Sequence, residues 1–246
     1  MKPYEKLAEL YDGAEWGKFS LGYVEILHTL QSRFRLGIDS ILDISCGTGS
    51  LVNALSTSFK VVGSDISQSM IRQARKRYPG LQFRVADMAG LRLSEKFDLI
   101  LSCFDSINYL TEQNHVNRSF RNIHRLLNTL GYFLFDFNTD ELYADKHHGI
   151  FERSSGGVRF KQICEYDKTK RLATTIFDFG AGEKEIHTQR AYRYEEIESF
   201  LRNNGFEIKF SYDINKKTPL TDTSYKILLL AEKREIDSQT GEDIEP

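Results

Sequence analysis

The chain has 246 residues, 40% of them hydrophobic and 28% charged, with a formal net charge of −2. A chain of this size closes its own core without a disulfide or metal staple, and its near-neutral balance speaks against a nucleic-acid face driven by bulk charge. Cys46, Cys103 and Cys164 are too far apart for a metal-spaced pair; with no apolar leader and no membrane-length apolar run, they point to a cytoplasmic protein.

Two amphipathic helical patterns open the chain, around 4–11 and 22–34, separated by a loop carrying Asp12-Gly13 and Trp16-Gly17. From residue 40 short apolar runs alternate with helical segments. Strands are predicted at 41–44, 60–64, 81–85, 97–102 and 131–137, and helices at 50–56, 67–78 and 112–127. Pro79-Gly80 stops the second of these helices, whose cluster Arg72, Arg75, Lys76 and Arg77 reads as a solvated face. Such alternation implies right-handed crossovers and a mostly parallel sheet.

Between 150 and 193 the pattern changes. Strand-like runs at 160–166, 173–179 and 184–192 follow one another without helices, flanked by Ser154-Ser155-Gly156-Gly157 and Gly180-Ala181-Gly182. An inserted antiparallel sheet of three or so strands is the simplest reading. A helix at 194–203 and strands at 206–213 and 225–232 complete the core. The expected organisation is an α/β, Rossmann-like sheet of seven mostly parallel strands with helices on both faces. Residues 1–149 and 194–232 form the core, with 1–36 as a helical lid; residues 150–193 form the insert and 233–246 a frayed acidic tail.

The segment Ile41-Leu42-Asp43-Ile44-Ser45-Cys46-Gly47-Thr48-Gly49 is a buried strand running into a turn of small residues and then a helix. Backbone can approach a ligand closely at such a turn. No Gly-Lys-Ser/Thr follows, which excludes a phosphate-binding P-loop, and position 52 is Val rather than the third glycine of a dinucleotide fingerprint. Asp65 ends the second strand, where a carboxylate can accept from both hydroxyls of a ribose; Ser67 is better placed than Asp65 to cap the helix that follows.

These residues, with Ala86-Asp87-Met88 and with Phe97-Asp98-Leu99-Ile100 leading into Ser102-Cys103-Phe104-Asp105, resemble the S-adenosylmethionine site of class I methyltransferases. The similarity is closest to the small bacterial branch that includes sugar-amine and glycine-type N-methyltransferases; it covers about 4–137 and resumes at 190–208. Ser45 stands where glycine is more usual. The resemblance implies S-adenosylmethionine as cofactor and S-adenosylhomocysteine as product. It implies that Ser45, Cys46, Gly47 and Gly49 pass under the cofactor, and that Asp65 holds the ribose. Ile66 and Met70 would pack on adenine or ribose, with Asp87 accepting from the adenine amino group between Ala86 and Met88. Asp43 either orients the turn or lies near the cofactor's ammonium. Ser102 and Phe104 would be cofactor-binding at the end of the fourth strand, with Phe104 or Asp105 facing the sulfonium and the incoming nucleophile, and Tyr11 in the lid either faces the sulfonium or closes a core.

Methyl transfer needs alignment, dehydration and sometimes a base, and no Ser/His/Asp constellation or metal cluster stands out. Candidates on the acceptor side are Asp105, Tyr109, Asp136, Asn138, His187 and Tyr192, with Asp105, Tyr109 and His187 favoured as catalytic. Adjacent His147 and His148 point different ways in any regular element, so no metal site is expected. The expected partner is a small-molecule acceptor methylated on nitrogen or oxygen, nitrogen slightly favoured, with no nucleic acid, no membrane, and a monomer or homodimer. A non-reacting S-adenosylmethionine-binding protein and an RNA methyltransferase remain the alternatives.

Overall fold

Side-chain alternation in one strand sets the layering of the core. In β5 (Leu127–Asn138), Phe133, Phe135 and Phe137 point to one face, where they meet Phe120 and Ile123 of α6 (Gln113–Leu126) and Ile197 and Leu201 of α8 (Tyr194–Asn203). Leu134 points to the other face, against Tyr23, Leu27 and Leu30 of α3 (Gly22–Phe34). Helices therefore cover both faces of the sheet, as expected for strands apolar on two sides.

The computed structural model describes residues 1–234. The first sheet has seven strands, in the order β10-β11-β5-β4-β1-β2-β3. The remaining ranges are β1 Ser40–Asp43, β2 Lys60–Asp65, β3 Gln82–Val85, β4 Phe97–Ser102, β10 Phe206–Asp213 and β11 Lys226–Lys233. β1 to β5 are parallel, whereas β11 runs antiparallel to both β5 and β10. The chain crosses over between β1 and β4, which opens a crevice at their carboxyl ends. Because β11 is antiparallel, its first residue, Lys226, lies at that same edge. The helices α4 (Ser50–Leu55) and α5 (Gln68–Arg77) join the early strands, and Ser67 caps α5 by accepting from the Met70 amide.

The second sheet is antiparallel and has four strands: β6 (Gly149–Ser155), β7 (Val158–Asp167), β8 (Leu172–Asp178) and β9 (Lys184–Arg190). Its inner face carries Phe160 and Phe177, which enclose Leu7 and Leu10 of α1 (Leu7–Leu10) with Tyr4 and Trp16.

Several elements differ from the sequence reading. β6 makes the second sheet four-stranded rather than three-stranded. It is an edge strand with six of its seven residues exposed, so it has no apolar alternation to read. Gly156 and Gly157, at φ +55° and +81°, close the β6–β7 hairpin as the two-residue turn that this handedness requires. Two short helices were not anticipated, α2 (Trp16–Phe19) inside the N-terminal loop and α7 (Asp140–Lys146), which buries Tyr143 alone. α1 is limited to Leu7–Leu10, β5 starts at Leu127, and Tyr192 lies beyond β9 in the main core. Of the expected acidic tail at 233–246, Lys233 ends β11 and residues 235–246 lie outside the described residues.

Candidate active site

The first wall of the crevice is built locally. After β1 the chain turns at Gly47 (φ +52°) and enters α4 through Gly49 (φ +82°), conformations that side chains with a Cβ resist. At Gly49 an added Cβ would come within 2.7 Å of Phe83, whereas at Gly47 it would meet nothing within 4 Å. Gly47 therefore faces open space, the close approach a ligand needs. The Asp65 carboxylate accepts from the Gly47 amide at 2.9 Å and the Ser67 amide at 2.8 Å, which ties the tip of β2 to the turn. Ile66 beside it is 68% exposed, a large apolar side chain left uncovered at the mouth.

Asp43 is 2% exposed and accepts a hydrogen bond from the Ser45 amide at 3.4 Å. Burial, with Asp65 nearby, pushes its carboxyl up to about 7. Burial likewise raises Asp65, against the two amides that favour its charged form. A buried and a half-buried carboxylate beside an open glycine turn form a pocket short of positive charge. A nucleoside with a ribose diol, a sulfonium and an ammonium supplies what it lacks, so these residues fit S-adenosylmethionine.

Other residues expected at the cofactor have different surroundings. Cys46 buries its thiol against Val52, Ala74 and Phe83, so it can meet a ligand through its backbone alone. Met70 is only 2% exposed, which leaves Ile66 as the apolar side chain available at the mouth. The Asp87 carboxylate already accepts from the Ala89 amide at 2.9 Å and lies 3.1 Å from His115 Nε2, while the Met88 carbonyl accepts from Asn122. Ala86 bonds Asp65 through its amide. Ser102 is fully buried, 3.2 Å from Ser45 through their hydroxyls, and links the ends of β1 and β4.

The opposite wall is built from distant parts of the chain. Phe104 and Asp105 follow β4 with φ of +64° and +52°, two consecutive non-glycine residues in the left-handed region. Asp136 holds them there: its fully buried carboxylate accepts from both of their amides, at 2.6 and 2.8 Å, and from the Tyr23 hydroxyl at 2.7 Å. Lys226 joins the two carboxylates, 2.7 Å from Asp105 and 3.0 Å from Asp136. Burial alone would lower the Lys226 ammonium, but Asp105 and Asp136 outweigh it and hold it above the ordinary lysine value. Gln189 donates to the second Asp105 oxygen at 2.8 Å, and Phe19 stacks on Phe104 at 6.0 Å between centroids.

Beside Asp105 runs a chain of hydrogen bonds. Tyr4 and Tyr109 share a hydroxyl contact of 2.8 Å, Tyr109 reaches His187 Nδ1 at 2.8 Å, and His187 Nε2 lies 3.3 Å from Glu185. Glu185, fully buried, also accepts from the amides of Tyr4, Lys6 and Leu7. Burial opposes its ionisation, but His187 and those amides prevail and keep it below the usual glutamate range. A charged Glu185 takes the hydrogen bond from His187 Nε2–H. Nδ1 is then the acceptor for the Tyr109 hydroxyl, and Tyr109 in turn accepts from Tyr4. Burial raises the tyrosines Tyr4, Tyr11 and Tyr109 well above 10, so they stay neutral; Tyr4 and Tyr11 feel both Asp65 and Asp105, and thus lie between the two walls.

Of the six acceptor-side candidates, Asp105, Tyr109 and His187 come together. Asp136 and Asn138 are structural: Asn138 is clamped to Asn108 through its amide and carbonyl. Tyr192 buries its ring and donates to the Leu110 carbonyl. Sequence reasoning missed Tyr4, Glu185, Gln189 and Lys226. The one readable signal was a lysine heading the apolar run Ile227–Leu230. Arg77, read as part of a solvated face, pairs with Asp12 of the N-terminal segment at 2.5 Å, and Asp12 also accepts from Thr48 at 2.8 Å. His147 bonds Thr175 at 3.1 Å; no acidic, histidine and cysteine cluster able to hold a metal occurs among the described residues, nor a helix long and apolar enough to cross a membrane.

A family model described as a methyltransferase domain matches residues 41–131. An uncharacterized protein of Methanocaldococcus jannaschii is 30% identical over 231 residues, covering 92% of this chain and 84% of that one. The crystal structure of an S-adenosylmethionine-dependent methyltransferase from Clostridium acetobutylicum superposes with a TM-score of 0.76 at 26% identity, covering 94% of this chain and 99% of that one. A dTDP-3-amino-3,4,6-trideoxy-alpha-D-glucopyranose N,N-dimethyltransferase of Streptomyces venezuelae is 38% identical over 72 residues, 29% of this chain and 30% of that one. With the crevice, the glycine turn and the strand-end Asp65 in place, the chain belongs to the class I S-adenosylmethionine-dependent methyltransferases.

Proposed function

We propose that this enzyme methylates the amino group of a small molecule held between the lid, the inner face of the second sheet and the ends of β4 and β5. The hydrogen-bonded chain Tyr4–Tyr109–His187–Glu185 carries this reading. S-adenosylmethionine, when bound, supplies an electrophilic methyl group for in-line displacement. Ser45, Gly47, Gly49, Asp65 and Ile66 would hold it, with Asp43 balancing its positive charge and Tyr11 closing over it.

An amine attacks once it is neutral, so the protein needs only to take up the proton shed by an ammonium. With Tyr109 donating toward Nδ1, the Tyr4 oxygen keeps a lone pair for that proton. His187 can store the charge, stabilised by Glu185. The tyrosines are held too far from ionisation to act as phenolate bases toward a hydroxyl. Asp105, fixed by Lys226 and Gln189, supplies a carboxylate that orients the acceptor's donors. The amino-sugar N,N-dimethyltransferase among the relatives supports an amino sugar as the first class to try.

The test is a panel of amino sugars, free and nucleoside-diphosphate-linked, simple amines, and hydroxyl analogues of each, assayed for S-adenosylhomocysteine and methylated product. Conversion of amines but not of their hydroxyl analogues is expected. Conversion confined to the hydroxyl series refutes the nitrogen assignment. Replacing residues 150–193 with the insert of a relative should change acceptor choice while leaving cofactor affinity intact.

A further inference from the structure

Four donors converge on one buried carboxylate of β9. Glu185 Oε2 accepts from the Tyr4 amide at 2.9 Å and faces His187 Nε2 at 3.3 Å. Its Oε1 accepts from the Leu7 amide at 2.9 Å and from the Lys6 amide. Each oxygen has two donors, which fills the acceptor capacity of a carboxylate. Alternation along β9 puts Glu185 and His187 on one face, and the residue level with Glu185 on β8 is Phe177. The neighbouring charges are engaged elsewhere: Lys6 Nζ pairs with Glu183, and Lys184 with Asp178. Among the described residues, His187 is thus the one side chain able to carry positive charge within ion-pair distance of Glu185, and backbone amides supply the other three contacts.

Those amides belong to the segment that also delivers Tyr4. The Tyr4 ring stands edge-on to His187 at 4.7 Å between centroids, and its hydroxyl lies 2.8 Å from that of Tyr109. Tyr4 has φ +60°, a left-handed conformation that a side chain with a Cβ resists and that persists only where its surroundings impose it. Those surroundings are Glu185 at the amide, Tyr109 at the hydroxyl, and Ser67, whose hydroxyl donates to the Tyr4 carbonyl at 3.5 Å. The Met1 ammonium donates to the Lys184 carbonyl at 3.2 Å, so residues 1–7 run along the start of β9.

We propose, resting on the proton-uptake reading above, that Glu185 is a positioning residue through which the seating of residues 4–7 turns the proton chain on. A buried carboxylate is costly unless donors satisfy it. With the segment seated, Glu185 is satisfied and anchors His187 Nε2–H, which turns Nδ1 toward Tyr109. A proton shed by the acceptor onto the Tyr4 oxygen then moves the Tyr4 proton to Tyr109 and the Tyr109 proton to Nδ1. The imidazolium formed keeps Nε2–H against Glu185. With the segment unseated, Tyr4 leaves the chain, Glu185 loses three of its four donors, and the His187 ring loses a fixed anchor. One side chain thus registers the N-terminal segment and the base together, and the proton is taken up only when the segment is in place.

The test uses the full chain and the variants E185Q, Y109F and E185Q/Y109F, with melting curves as the check on folding. Hydrogen exchange is read at the Tyr4, Lys6 and Leu7 amides. The native chain should protect them at least about hundredfold relative to an unstructured peptide, and unprotected amides overturn the proposal. E185Q offers one acceptor and two donors of its own to four donors, so exchange there should quicken at least about tenfold. For the amine converted best in the panel above, E185Q should lower kcat at least about tenfold. In the Y109F background the same change should cost less than about twofold, because both cut one path. An equal loss in both backgrounds makes Glu185 a structural support and overturns the proposal, as does native-like exchange in E185Q. A Y109F chain with normal kcat instead overturns the proton-uptake reading, and this inference with it. If E185Q does not fold, E185D, which keeps the charge but withdraws it by one methylene, is read in the same way.

Discussion

The two walls of the crevice are built by different means. On the cofactor side the important contacts are short in sequence: Asp43 reaches Ser45, Asp65 reaches Ser67, and Gly47 reaches Asp65 18 residues on. On the acceptor side they span the chain. Tyr4 meets Tyr109 across 105 residues, Lys226 meets Asp105 across 121, and Glu185 holds the Tyr4 amide across 181. The first wall exists once two strands and a turn have formed. The second exists only after the N-terminal segment, the insert and the last strand have docked, and on the function proposed it is the part in which substrate choice can vary without disturbing the first.

Removing Lys226 breaks the second wall most severely. K226M leaves the buried Asp136 and the strained Phe104–Asp105 turn without their cation, and loss of one partner of a buried pair costs about 3–5 kcal/mol. Urea denaturation should show that loss, and methyl transfer should fall with it. A variant as stable as the native chain would mean that the backbone amides alone hold the turn. The counterpart on the first wall is a dependence on pH. Asp43 ionises at about 7 when folded, and the unfolded chain loses that proton near 4. The group's contribution to stability is thus full below about pH 4 and is lost as pH rises through about 7. At about 1.4 kcal/mol per unit, the difference approaches 4 kcal/mol. D43N should remove that slope, measured as the difference between native and variant stability across the range without ligand.

This contrast explains what could be read from the sequence. The seven-stranded core was legible because buried parallel strands leave continuous apolar runs, and helices such as α3 and α8 leave a stripe of period 3.6. The first wall was legible because its residues are confined to strand ends and a glycine turn. β6 was not, since an exposed edge strand has no alternation. Tyr4, Glu185 and Gln189 were not, because nothing in their own neighbourhoods records that α1 docks on the inner face of β9. Lys226 was visible only as a lysine starting an apolar strand; its meaning depends on β11 running antiparallel, which the local pattern does not state. Met70 and Cys46 are close to the turn in sequence, yet their side chains point into the interior, which leaves Cys46 only its backbone to offer a ligand.

Smaller effects sharpen the comparison further. D65A removes the carboxylate proposed to hold the ribose, and with charge-assisted bonds worth about 1.5–3 kcal/mol each, cofactor affinity should fall by two or more decades. Titration calorimetry checks it, with D65N separating charge from the amide contacts that steady the turn; an unchanged affinity removes Asp65 from the cofactor site. Y109F, by contrast, should leave cofactor affinity intact. It cuts the path from Tyr4 to His187, so kcat should drop about tenfold to hundredfold, with the loss greatest at low pH, where the acceptor arrives as an ammonium. A variant with normal kcat at every pH would reduce the chain to a structural support.

The smallest effect falls where the two walls meet. Asp12 of the lid pairs with Arg77 at 2.5 Å and accepts from Thr48, the residue between the two glycines of the cofactor turn. The pair is partly open to water, with side chains 29% and 38% exposed, so it is worth well under 1 kcal/mol to the fold. Its consequence is kinetic. If residues 1–36 act as the lid proposed, they leave Thr48 when the cofactor enters or departs, and the latch opens each time. R77A should therefore leave the denaturation midpoint nearly unchanged but speed cofactor release several-fold, with a smaller change in equilibrium affinity because association quickens as well. Stopped-flow displacement of bound S-adenosylhomocysteine measures the release rate directly. If R77A released it no faster than the native chain, the lid would open at another edge, and the Arg77–Asp12 pair would be only a surface contact.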